Sequence, residues 1–254
     1  MPTSPQADAR FEEQVRSAPF IFSGQIVKPG ASTVATLPPN DRLAIVKIDT
    51  VFRAPAVLGS LTGKRITVQI AAGKPMKTGA KALFYATSWL YGDGIAVVEV
   101  ARADVPKDKK DMLARVAQAE IRLEDNKLTD RLSRADLVVS GIVADTRPVD
   151  RERPEPRSEH DPVWWQADIA VDRMEKGKVQ SVIVLAYFPA SLDEYWLDVP
   201  KLQPRQRGVF ILHRGADDKR TILQPPGPAL LHPLDFQPAV QLDRVRALLK
   251  LASI

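Results

Sequence analysis

Two stretches of this chain, far apart, carry nearly the same pattern: residues 134–144 read RADLVVSGIVA and residues 17–27 read SAPFIFSGQIV. Set on a fixed offset of 117 residues, Phe11 meets Leu128, Val15 meets Leu132 and Ala18 meets Ala135. Phe20-Ile21-Phe22 then meets Leu137-Val138-Val139, and Ser23-Gly24 meets Ser140-Gly141 identically. Apolar residues four apart predict one face of a short helix, and the apolar triplet after them predicts a strand. The glycine behind the triplet predicts a bulge or a sharp bend.

The echo continues in step. Residues 43–55, LAIVKIDTVFRAP, answer residues 163–177, VWWQADIAVDRMEKG. In the second copy Val163, Trp165, Ala167, Ile169 and Val171 alternate with mostly polar or small neighbours, the period of a strand buried on one side. RITVQI then pairs with SVIVLAY, ALFYAT with GVFILH, and GIAVVEVA with RTILQ. Each half closes on a helical pattern, Leu113 and Val116 standing where Val245 and Leu248 stand, with Pro106 and Pro238 near the two starts. By then the offset has grown to 132, and the extra residues fall at 145–162 and, more largely, at 189–207. Loops accept such insertions because closure entropy grows slowly with length. Seven elements in one order predict an internal duplication of a helix, about five strands and a helix, over residues 8–120 and 126–254. A short charged linker at 121–127 is expected between them.

A strongly bent five-stranded antiparallel unit of this size hides its edges by closing on itself. The expected fold class is therefore mainly β with flanking helices, as two tandem OB-like five-stranded barrels. Two immunoglobulin-like sandwiches are the alternative, but each needs about seven strands. Three features carry a family resemblance: the order A-x-apolar-apolar-apolar-S-G-x-apolar; a strand ending on a basic residue (Val51-Phe52-Arg53, or Met174-Glu175-Lys176-Gly177); and G-apolar-F-apolar-L from Gly208 to Leu212. Together they resemble the netrin-module and metalloproteinase-inhibitor type of OB barrel, over residues 10–117 and 127–250. The resemblance implies barrels with flanking helices, used mostly for binding. Inhibitors of that family place an N-terminal cysteine on the protease metal, and this chain has no cysteine. Protease inhibition is not implied.

Composition narrows the chemistry. With 254 residues, 44% apolar and 26% charged, the chain can bury two cores. The missing cysteine removes disulfides, thiolate zinc sites and cysteine nucleophiles. No apolar run approaches about 18 residues, so no membrane insertion is expected. The opening MPTSPQADARFEEQ lacks the basic and apolar regions of a signal peptide. A cytoplasmic location is expected, with export as the alternative if a leader has been removed. The net charge of +5 favours acidic partners, but it is diffuse. Arg147, Arg151, Arg153 and Arg157 are offset one for one by Asp145, Asp150, Glu152 and Glu155.

No catalytic or cofactor signature stands out. His160, His213 and His232 are scattered over different elements and too far apart for the usual metal-ligand spacings. SEHD at 158–161 reads as a solvated loop. LTGK at 61–64 ends like a phosphate loop, but Leu58 stands where that motif needs its first glycine. No metal, no cofactor and no catalytic residue is assigned.

The functional expectation is a non-catalytic binding or assembly module whose partner is another protein or a larger assembly. Single-stranded nucleic acid is the alternative, since OB barrels stack bases on aromatics in a basic groove. The expected contact residues are Trp164, Tyr195 and Trp196 in the second half, with Trp89 and Tyr91 in the first. Strict alternation puts Trp164 on the face opposite Trp165. Asp193, Glu194 and Asp198 surround the Tyr195-Trp196 pair and repel phosphate, which favours a protein partner.

Overall fold

The computed structural model describes residues 5–71, 77–92, 94–149, 161–178, 181–214, 225 and 227–252. The chain divides into two compact units, Met1–Glu124 and Asp125–Ile254. The first holds α1 (Pro5–Ser17), β1 (Phe20–Pro29), β2 (Leu43–Arg53), β3 (Arg65–Gln69), β4 (Lys81–Tyr91) and β5 (Ile95–Ala103). Next comes α2 (Lys109–Arg134), within which the boundary between the units falls. The second unit continues with β6 (Leu137–Pro148), β7 (Trp164–Lys176), β8 (Ile183–Pro189), β9 (Arg207–Leu212), β10 (Phe236–Pro238) and α3 (Leu242–Ala252). No described helix is long and apolar enough to cross a membrane.

In the first unit the strands close into a barrel in the order β1-β2-β3-β5-β4. Closure comes from a parallel ladder, Thr67↔Ala96, Val68↔Val97 and Gln69↔Val98, between β3 and β5. This architecture is compatible with an OB-like barrel. The apolar triplets acquire their meaning here: Phe20 and Phe22 point into the barrel, where Phe22 stacks on Phe84 with ring centroids 5.2 Å apart. Ile21 between them faces outward into a cluster with Val15 of α1, Ala18 just after it, and Met112 and Val116 of α2. In the second unit Leu137 and Val139 likewise line the sheet's core while Val138 faces Leu128, Leu132, Val245 and Leu248. Both triplets are buried on two faces, so they read as continuous apolar runs.

The repeated Ser-Gly pair marks a shared irregularity. The β1–β2 register shifts between Ile21/Phe22, Ser23/Gly24 and Ile26/Lys28, and the β6–β7 register shifts between Val138/Val139, Ser140/Gly141 and Val143/Asp145. All three shifts are displaced by the same 117 residues. A Cβ on Gly24 would lie 2.7 Å from the Lys47 carbonyl oxygen, and one on Gly141 would lie 2.3 Å from that of Ala170. Only glycine lets the neighbouring strand approach so closely. The basic residue ending the second strand of each unit is also matched. Arg53 donates to the Val15 carbonyl, and Lys176 donates at 2.8 Å to the carbonyl of Leu132, the counterpart of Val15. Each cation satisfies an orphan carbonyl at the end of the helix that leads into its sheet.

Three expectations need correction. Residues 121–127 are not a linker between helices but part of the single helix α2, which carries Met112, Val116 and Ala119 in a cluster of the first unit and Leu128 and Leu132 in a separate cluster of the second. Leu113, expected on the buried face, is exposed, and Met112 takes that place.

The third correction concerns closure. The second sheet is open, in the order β10-β9-β6-β7-β8, and is not a closed barrel. RTILQ, expected as its fifth strand, lies outside the described residues. The segment that meets both β8 and β9 is instead at Ala229, which bridges Tyr187 in parallel and His213 in antiparallel sense. Tyr187 N–H donates to the Pro228 carbonyl and Leu230 N–H donates to that of Tyr187. One step earlier the same ladder would require an N–H from Pro228 to the Leu185 carbonyl, and proline has none. Where the first unit has Ala96-Val97-Val98, the second has Gly227-Pro228-Ala229, and the ladder stops at a single bridge. Beyond it the chain turns through Leu231 to Asp235 before it rejoins β9 as β10.

Candidate functional site

The long insertion after β8 builds a compact cap. Trp164 pairs with Pro189, Ala190 N–H donates to the Val163 carbonyl at 2.8 Å, and Val163 N–H donates to Ser191 Oγ at 2.9 Å. The chain then coils. Asp193 Oδ1 accepts the Tyr195 N–H at 2.9 Å, and the Asp193 carbonyl accepts the N–H groups of Trp196 and Leu197 at 3.1 and 2.9 Å. An aspartate opening a turn in this way offers its side chain as a substitute for the missing backbone acceptor. The Trp196 carbonyl closes the coil by accepting the Val199 N–H at 3.1 Å.

This turn decides which aromatic faces in. Trp196, three residues after Asp193, is 0% exposed and packs with Val199, Ala229 and Leu231, flanked by Trp164 and Tyr187. Its ring lies 6.4 Å from that of Trp164 at 58°. Lys201 secures the far side: its Nζ donates to the carbonyls of Pro189 and Trp196, each at 2.6 Å. Burial lowers the Lys201 ammonium from its ordinary range, with the Asp193 charge working in the opposite direction. On the outside the cap presents Leu192 at 73%, Tyr195 at 40% and Leu197 at 59% exposure, with Glu194 and Asp198 exposed among them.

The aromatics expected at the surface therefore separate. Trp164 does lie opposite Trp165, which packs in the core cluster with Phe188. Trp164 and Trp196 come together, but as the floor of the cap, so Trp196 is not an exposed anchor; the Asp193 turn sends it inward. Tyr195 is outward. Trp89 sits in the first unit, 37% exposed, at a register shift in β4 between Ser88 and Leu90. The side chain of Tyr91 lies outside the described residues. Leu192 and Leu197 escaped the sequence reading. Their signal was spacing around Asp193, visible only once the turn is known.

Elsewhere the polar groups serve the fold. Asp235, 0% exposed, accepts hydrogen bonds from Arg131 Nε and Nη2 at 2.9 and 2.7 Å and from the N–H groups of Leu231 and His232 at 2.7 and 2.9 Å. His213 Nε2 stands 3.4 Å from Asp235 Oδ1, and His232 Nδ1 accepts the Leu234 N–H at 3.1 Å. Both histidines therefore belong to the break in the closing segment. His160 lies outside the described residues. Among the described residues no three His, Cys, Asp or Glu side chains gather as a metal ion would require. In the first unit, residues 30–42 cover the outer side of β3, burying Ala31 and Val34, while Thr67 Oγ1 accepts the Thr33 N–H at 2.8 Å. Compared with known proteins, the sequence matches no family model and no curated protein.

Proposed function

We propose that this chain is a non-catalytic protein-binding module built from two related OB-like units, the second opened by its proline-rich closing segment. The duplication is supported by the three matched register shifts, the paired Gly24 and Gly141, and the paired helix-capping cations Arg53 and Lys176. The netrin-like character of the two units rests on the sequence resemblance and on helices that cover the outward side of β1 and β6.

One observation carries the binding role: the cap spends its largest side chain on its own anchorage and leaves Leu192, Tyr195 and Leu197 in water. A loop fixed by a buried Trp has little ordering entropy left to lose on binding. Apolar side chains left exposed on such a loop favour a contact role. Nucleic-acid binding is less well supported, because Trp164 and Trp196 pack against each other within the protein, tilted by 58°, rather than offering a platform. The test is affinity capture from the native host, comparing the natural chain with Tyr195→Ser/Leu197→Ser. The expected result is a specific protein lost with the double variant, at unchanged melting temperature. Equal capture by both, or a labelled single strand whose affinity falls steeply with salt, would overturn the reading.

A further inference from the structure

Resting on that reading, we infer that the cap of residues 190–201 receives a cationic segment that carries apolar side chains, such as a Lys- or Arg-rich strand or helix of another protein. Residues 189–200 contain Asp193, Glu194 and Asp198 and neither Lys nor Arg. The first cation after them, Lys201, is turned inward onto the Pro189 and Trp196 carbonyls. Whatever covers Leu192, Tyr195 and Leu197 must therefore come close to Glu194 and Asp198, with no cation of the cap between. A phosphate or an acidic peptide would meet like charge there. Ammonium and guanidinium groups gain from the same rim, while their aliphatic stems add apolar contact. The cap is negative in a chain whose net charge is +5, so this local sign is a property of the cap and not of the whole surface.

The test uses the full chain and three fluorescent peptides of equal length: alternating Leu and Lys, alternating Leu and Glu, and alternating Gly and Lys. Anisotropy at low salt is expected to show binding of the Leu/Lys peptide, about tenfold weaker binding of Gly/Lys, and none of Leu/Glu. Tyr195→Ser/Leu197→Ser and Glu194→Lys/Asp198→Lys are each expected to weaken Leu/Lys binding about tenfold, with melting curves unchanged. Binding of Leu/Glu as tight as Leu/Lys, or charge reversal without effect, would overturn the inference. So would self-association, seen by light scattering and abolished by the same variants, since a second copy would then be the occupant. Should the apolar variant lose the natural partner while the charge-reversed variant keeps it, this inference falls and the proposed function stands.

Discussion

At the scale of single residues, equivalent positions can do the same job with opposite chemistry. Phe52 in β2 is packed against the helices, and its counterpart in β7 is Glu175, whose side chain is 4% exposed. Glu175 accepts two hydrogen bonds from Arg246 of α3, at 2.9 and 2.7 Å, and one from Ser140 at 2.9 Å. These bonds, Arg246 foremost, hold its carboxyl below the usual range against the opposing effect of burial. A depressed folded-state value means that the stabilisation is fully present above the unfolded value and is lost as pH falls through the folded one. Glu175→Gln is expected to lose about 1–3 kcal/mol at neutral pH. Urea melts should show the gap to the natural chain narrowing as the solution is acidified below pH 4. In the sequence Glu175 was only one residue in a strand ending in a cation. Its partner, 71 residues further on, left no local trace. Gly141 was legible in place but not in reason, because the closeness of the Ala170 carbonyl is a fact of pairing. Gly141→Ala is expected to cost about 1–3 kcal/mol, as overpacking does, read from thermal melts.

At the scale of elements, strands with strict period were legible and turns were not. β2, β3, β4 and β7 stand where apolar alternation put them, since that pattern is what a half-buried strand requires. RTILQ, expected as the closing strand of the second sheet, lies outside the described residues, whereas the segment that bridges Tyr187 and His213 follows Pro228 and hides its role behind a missing N–H. The cap shows the same limit. Its length and aromatics were visible, but the choice between Tyr195 and Trp196 as the buried ring depends on the hydrogen bond from Tyr195 N–H to Asp193. Trp196→Ala should accordingly behave as a core substitution, costing about 3–5 kcal/mol of the second unit's stability. Fluorescence-monitored urea unfolding checks this. Tyr195→Ser, at the outward position beside it, should leave the same curve within about 0.5 kcal/mol of the natural chain. Equal losses for the two variants would mean that the turn does not sort them as described.

At the scale of the whole molecule, each apolar cluster described above lies inside one unit. The barrel interior and the α1-facing cluster belong to Met1–Glu124; the second sheet's core, the α3-facing cluster and the cap belong to Asp125–Ile254. Buried or partly buried ion pairs are found within each unit. Arg53 with Glu120 and Arg122 with Glu12 lie in the first, while Arg131 with Asp235, Arg244 with Asp125 and Arg246 with Glu175 lie in the second. Units of this length can sustain a core of their own. The one shared element is α2, and cutting it leaves two shorter helices that must be held by packing and not by propensity. For the second piece that packing is supplied by Leu128, Leu132 and Ala135 against Val138, Val209 and Val245. Residues 1–124 and 125–254, produced separately, are therefore each expected to melt cooperatively by circular dichroism. The second is expected to keep the affinity of the full chain for the Leu/Lys peptide within about threefold, because the residues described above as the floor and rim of the cap belong to that half. Loss of cooperativity in the 125–254 fragment, with the 1–124 fragment intact, would show that the open sheet depends on more than its own clusters, and would place the cost of the missing Pro228 hydrogen bond on the folding of the entire second half.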